Sequence, residues 1–305
     1  MVFIAPITAF ALTIWAVGLV IRRLVLDHPN DRSSHSTPTP RGGGLGVVPA
    51  VLVVWILFAD YRPWALILGA VALMAGSWID DRQGLSPLTR LVAQAAMVAL
   101  FIATLPINHW FLAVLAGFAL LWFVNLYNFM DGIDGITGIE TASLGVGIAV
   151  VAGLDNPLSL PALTLAGAAL GFLVWNWHPA KVFLGDSGSI PLGLLLGGLL
   201  IELALSGHWQ AALILPAYYC ADASLTLGSR LLKGEKVWQA HRKHFYQRAS
   251  RGGAGPVRVS LSVLVGNLGL IGCAWMGGTA GLVGAALIVT ALLSVLGYWG
   301  RNAPP

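Results

Sequence analysis

Charge is what this chain has least of. Only 10% of its residues are Asp, Glu, Lys or Arg, against about 25% in soluble domains, so an ordinary water-facing globular surface is excluded. Cysteine is almost missing. Cys220 and Cys273 both fall in apolar runs, which excludes a disulfide framework and a zinc–thiolate site. No repeat of fixed period and no low-complexity tract stands out, and the longest polar stretches are only 27–44 and 233–255. Neither is long enough for a separate soluble domain, so the net charge of +4 does not indicate nucleic-acid binding. It indicates topology and anionic phosphates.

What remains is 57% hydrophobic, with 12 Trp and 37 Gly. Trp at bilayer interfaces and Gly at close helix contacts suit a bundle of membrane helices. The composition predicts an all-α polytopic membrane protein, one domain over 1–305, with about 10–11 spans of roughly 20 residues each. Apolar runs lie near 4–24, 44–59, 64–79, 89–105, 109–126, 136–153, 159–176, 189–205, 209–231, 257–275 and 279–299. The last is read as a span, with ten spans kept as the alternative. The first 26 residues resemble a signal peptide, but Arg22 and Arg23 follow the apolar run instead of preceding it. That predicts a retained first helix with its N-terminus outside.

Counted this way, the connections 25–43, 80–88, 127–135, 177–188 and 232–256 share one side. Of 17 Lys and Arg, all but Arg62 fall on that side, its adjoining helix ends or the tail. Such asymmetry predicts that the five loops are cytoplasmic. The expected location is the bacterial inner membrane.

These loops carry the polar chemistry. The third apolar run ends in Asp80-Asp81-Arg82. Adjacent carboxylates point about 100° apart on a helix, so two separate jobs are expected, or else an ordinary acidic helix end paired with Arg82. The run Asn125, Asn128, Asp131, Asp134 keeps a spacing of three. On an α-helix that spacing drifts about 60° per step. A 3₁₀ turn would align all four side chains, and Gly132 and Gly135 permit it. Acids beside hydrocarbon are expensive and usually functional, and this cluster of oxygens suits Mg²⁺ or a ribose.

The fourth loop sets Asp186 between glycines ahead of Ser187 and Gly188, either an N-capped turn or an anion-binding helix start. In the fifth, His241, His244 and Arg248 would share a face if helical, meeting phosphates or a sugar. The alternative is a basic interfacial helix anchored by Trp238, Phe245 and Tyr246. The first loop offers Arg41 for a phosphate or headgroup, ahead of three glycines whose amides are expected to be free. Asp222, inside the ninth run, either breaks that helix or pairs internally.

With these loops in view, the chain resembles the polyprenyl-phosphate N-acetylhexosamine-1-phosphate transferases, a superfamily that includes phospho-N-acetylmuramoyl-pentapeptide transferase. Asp80-Asp81 resembles its paired-Asp motif. Residues 125–135 resemble its Asn-x-x-Asn-x-x-Asp-Gly-x-Asp-Gly motif, and 183–188 its Phe-x-Gly-Asp-x-Gly motif. The departure is at His241-Arg242-Lys243-His244, where the family commonly carries His-x-His-His. That is closest to the branch that initiates O-antigen synthesis.

The resemblance implies a Mg²⁺-dependent enzyme, with Mn²⁺ as an alternative. It would use undecaprenyl phosphate and a UDP-sugar: N-acetylglucosamine, or a deoxy relative such as N-acetylfucosamine or N-acetylquinovosamine. UMP would leave and an undecaprenyl-diphospho-sugar would form. By the same resemblance Asp186 and Asn128 are the metal ligands, and Asp80 or Asp81 is the base or orienter. Asn125, Asp131 and Asp134 would hold the nucleotide, or Asp131 and Asp134 would help the metal, while His241, His244, Arg248 and Arg41 would meet substrate. Oligomeric state is left open, a homodimer included. The rival classes are a transporter or lipid flippase, a CDP-alcohol phosphatidyltransferase and a non-catalytic scaffold. The acids lie at helix ends with no halved repeat, unlike transporter sites at the bilayer midplane. The Asp-Gly-x-x-Ala-Arg pattern of the second class fails at Gly135 and Ile136. A scaffold would not need so many acids on one side.

Overall fold

A computed structural model describes residues 1–27, 38–237, 239 and 241–303. Among them the helices are α1 (Ile4–Val20), α2 (Gly44–Phe58), α3 (Trp64–Gln83), α4 (Pro87–Ile102), α5 (Trp110–Phe129), α6 (Ile136–Ala152) and α7 (Ser159–Asn176). They continue with α8 (Asp186–Leu203), α9 (Trp209–Ile214), α10 (Ala217–Leu232), α11 (Phe245–Ala249), α12 (Gly255–Met276) and α13 (Gly278–Trp299). Among the described residues a single pair of short antiparallel strands, β1 (Val25–Asp27) and β2 (Thr39–Arg41), joins the two ends of the first loop. Seven helical segments among the described residues are long and apolar enough to cross a membrane, and α2, α4 and α6 are shorter apolar helices. The protein is an all-α polytopic membrane protein.

The ninth run is the one that departs from expectation. It breaks into α9 and α10 at Leu215–Pro216, where proline has no N–H to continue the ladder. Asp222 is not the cause, since it lies inside α10.

Helix α8 is buried along nearly its whole length and is apolar all round, as a helix at the centre of a bundle is. It packs on α2, α3, α5 and α6. Small residues set these contacts. A side chain at Gly44 would collide with the Gly188 backbone, and one at Gly167, on α7, with the Pro6 carbonyl of α1. Around this core, α7 packs on α1 and α6, and α12 packs on α6 and α13.

Candidate active site

All five polar loops meet at one end of the bundle. Loops one and four are stitched by backbone. Phe183 N donates to Pro40 O, Gly42 N and Gly43 N donate to Phe183 O, and Gly44 N donates to Leu184 O, at 2.8–3.0 Å. The glycine amides expected to be free are therefore occupied, and what they hold is the turn carrying Asp186. Loops three and four are tied by Asn176, which accepts from Gly135 N and donates to Val182 O, each at 2.9 Å. Loop five is tied to loop three through Tyr246, whose hydroxyl donates to Phe129 O at 2.9 Å.

Between these ties lies a chain of alternating charge. Arg41 on β2 reaches Asp186 Oδ1 at 2.5 Å. Arg90 lies 3.8 Å from Asp186 Oδ2 and 3.1 Å from Asp80 Oδ2. Helix α3 ends where Gly84 takes a left-handed φ of 66°, and Asp80 Oδ1 accepts from Leu85 N at 2.6 Å. Ser86 then caps α4 by accepting from Thr89 N, with Pro87 following, so Arg90 falls in the first turn of α4, facing Asp80.

The adjacent acids have separate surroundings, as their angular offset predicts. Asp80 is buried and paired, whereas Asp81 is exposed within electrostatic reach of Arg41, Asp186 and Arg90. Arg82 turns away onto the Trp78 ring, 3.7 Å from its centroid, so it is not the partner of either acid.

The spacing-of-three run does not form one 3₁₀ turn. Helix α5 stays α-helical through Phe129, because an apolar helix packed on α8 gains nothing by tightening. Asn125 consequently faces α4, donating to Gln94 Oε1 at 2.8 Å. Asn128 faces α8, accepting from Ser189 Oγ at 2.6 Å. Asp131 accepts from Thr137 Oγ1 at 2.6 Å. Burial pushes its carboxyl up to about 6, against the pull of Thr137 and Arg41 and with the push of Asp186. Asp134 is held by His178 Nδ1 at 2.6 Å and by Ala180 N at 3.1 Å.

The fifth loop also differs from expectation. Residues 241–244 are not helical and α11 begins at Phe245, so His241, His244 and Arg248 do not line one helical face. The cause is Asp222, wholly buried on α10. It accepts from Phe245 N at 3.0 Å and Tyr246 N at 3.1 Å, and lies 3.2 Å from His244 Nδ1, which caps the start of α11 from another helix. His241 stacks on His244, centroids 4.8 Å apart. Partial burial lowers its pKa to about 4, helped by His244, Arg230 and Lys243, so at neutral pH it is an uncharged ring. Arg248 reaches Gly300 O at 3.4 Å. Lys243, at the position that departs from the family pattern, bonds Glu235 at 2.6 Å. Hydrogen bonds from Lys243 and Arg230 hold the Glu235 carboxyl down at about 2. Trp238 lies outside the described residues.

Reasoning from sequence missed Arg90, Gln94, Thr137, His178 and Ser189. Only Arg90 carried a signal: a lone cation in the first turn of an apolar helix, on the face with the acids.

Among the described residues no three His, Cys, Asp or Glu side chains converge at metal-ligand spacing. The donor chemistry nevertheless fits a hard divalent cation, since Asp186 and Asn128 offer carboxylate and carboxamide oxygens. Those oxygens now receive Arg41, Arg90 and Ser189.

Comparison with known proteins identifies the family of the chain. A family model described as glycosyl transferase family 4 matches residues 63–204, which include Asp80, Asp81, Asp131, Asp134 and Asp186 but neither Asp222 nor Glu235. A phospho-N-acetylmuramoyl-pentapeptide-transferase of Picosynechococcus sp. is 32% identical over 255 residues, 73% of this chain and 69% of that one. The chain belongs to glycosyl transferase family 4. Other members include the corresponding transferase of Microcystis aeruginosa, 30% identical over 291 residues (86% of this chain, 76% of the relative). A third is a decaprenyl-phosphate N-acetylglucosaminephosphotransferase of Mycolicibacterium smegmatis, 35% identical over 230 residues (63% of this chain, 56% of the relative). The chain thus stands in the polyprenyl-phosphate hexosamine-1-phosphate transferase family that its motifs resemble, and its relatives are phosphotransferases.

Proposed function

We propose that this protein transfers a sugar 1-phosphate from a UDP-N-acetylhexosamine to undecaprenyl phosphate, releasing UMP and leaving an undecaprenyl-diphospho-sugar. The sugar is N-acetylglucosamine or a deoxy relative such as N-acetylfucosamine or N-acetylquinovosamine, and the step initiates O-antigen or a related surface polysaccharide. The observation that carries this reading is the meeting of Arg41, Arg90, Asp80, Asp81 and Asp186 at the loop-bearing end of a membrane bundle. A lipid in the bilayer and a nucleotide in water can both reach such a place. The charge asymmetry supports the cytoplasmic face of the inner membrane.

In the reaction an oxygen of the lipid phosphate attacks the phosphorus bonded to the sugar. The bond from that phosphorus to the bridging oxygen breaks, and UMP departs with the electron pair. One phosphoanhydride replaces another, so the protein's task is to position and neutralise two anions. Arg41 and Arg90 are the near cations, and both can exchange Asp186 for phosphate oxygens. Asp81, exposed and unpaired, orients the acceptor phosphate. That phosphate needs no dedicated base, because its second pKa is about 6. Asp80 acts through Arg90. Asp186 and Asn128 would hold Mg²⁺ (or Mn²⁺), which when bound neutralises charge on the diphosphate. His241 is neutral and meets the sugar rather than a phosphate.

The test offers detergent-purified protein a panel of UDP-N-acetylhexosamines with undecaprenyl phosphate and Mg²⁺, and measures UMP. Release with at least one donor, dependent on the lipid, is expected. No release with any donor would overturn the reading, and movement of lipid or solute only in sealed vesicles would favour a transporter.

A further inference from the structure

Two buried oxygens beneath the site have no donor. Glu140 lies on α6, one turn beyond Thr137, and is wholly buried. Asn267 on α12 is buried against it and donates from Nδ2 to Glu140 Oε2 at 2.7 Å. That leaves Glu140 Oε1 and Asn267 Oδ1, both buried and both without a hydrogen-bond partner.

An ionised carboxylate here would be an anion out of reach of water with one donor to satisfy it, and buried charges of that kind are costly unless paired. Among the described residues Glu140 forms no ion pair, and its hydrogen-bond donor is Asn267. The titratable groups around it are Tyr127 on α5 and Tyr218, Tyr219 and Cys220 on α10, all of which are uncharged at neutral pH. A single proton on Oε1 would give this pair the donor it lacks, with the carboxamide oxygen Oδ1 as its acceptor.

We infer that Glu140 is protonated and forms with Asn267 a carboxylic acid–carboxamide pair closed by two hydrogen bonds, which fastens α6 to α12 and positions the Asp131–Asp134 turn. One hydrogen bond runs from Nδ2–H to Oε2 and the other from Oε1–H to Oδ1. The placement supports the role. The turn leads directly into α6 through Gly135. On α12, seven residues before Asn267, Ser260 donates to the Asp134 carbonyl at 3.0 Å. The same two helices are thus joined at the turn and again deeper in the bundle, so the inner pair keeps Ser260 in place against the turn. Glu140 touches no proposed substrate group, so it is a positioning residue.

The kinetic part of the test rests on the transferase reading; the spectroscopic part does not. Infrared spectra of the purified full chain at pH 7 are compared with those of Glu140→Gln, which reproduces the neutral acid's donor and acceptor. A protonated-carboxyl C=O band present in the wild type and lost in E140Q is expected. UMP release by E140Q should stay within about threefold of wild type, while E140A loses about tenfold or more in kcat because the pair is gone. Absence of the band, E140Q as impaired as E140A, or E140A as active as wild type would each overturn the proposal. If the wild type releases no UMP with any donor, the transferase reading fails and the infrared comparison still decides the protonation.

Discussion

At the residue scale the site is a balance of unlike charges in which single carboxylates have distinct partners. Asp186 receives two guanidinium groups and begins the central helix. Replacing it by Asn removes the charge while keeping the shape, so UMP release is expected to fall by about 10²–10³-fold, with membrane insertion unchanged. Near-normal release would end its assignment as a ligand. His241 gives a pH test. Its folded-state pKa of about 4 lies below the usual 6.5, so the unfolded chain takes up the proton first. Stability is therefore lost as pH falls from 6.5 towards 4. Thermal unfolding of the wild type should weaken more over that window than that of His241→Gln, and equal slopes would show the ring is not partly buried. The identities of the acids were readable because acids are rare beside hydrocarbon. Of their partners only Arg90 left a local trace, as a lone cation opening an apolar helix; His178 and Thr137 come from another loop and helix, and no local pattern announces a tertiary neighbour.

At the element scale, helix positions followed from hydrophobic run length, while conformation at the helix ends did not. The spacing-of-three motif suggested a tight turn, yet α5 kept its α pitch because packing on α8 outweighs a local preference. Asp222 shows the converse. It reads as an isolated acid in an apolar segment, and in the fold it is the N-terminal cap of a different helix. Asp222→Ala would leave His244 and the Phe245 and Tyr246 amides unsatisfied. It is expected to cost on the order of 3 kcal/mol and to raise hydrogen exchange across 241–254 before the core of the bundle responds. Protection unchanged in that segment would show that α11 does not depend on the cap.

For the whole molecule, alternation of apolar runs and the one-sided cations were enough to read that five loops gather at one end. What sequence could not supply was the order of contacts within that gathering, above all that the first loop's glycines grip the fourth loop's backbone. In a chain freed of Cys220 and Cys273, single cysteines introduced at Lys181, Lys233 and Arg258 are expected to react with an impermeant thiol reagent from the cytoplasmic side. Those at Arg62 and Asp155 should react from the other side. Any mixing of the two groups would dismantle the site. In the proposed reading the contact between Arg41 and Asp186 couples the two ligands. One guanidinium nitrogen cannot serve this carboxylate and an arriving anion at once, so an anion that draws Arg41 away would leave Asp186 freer to take a cation. The two affinities are then expected to rise together, by the same factor in either order of arrival.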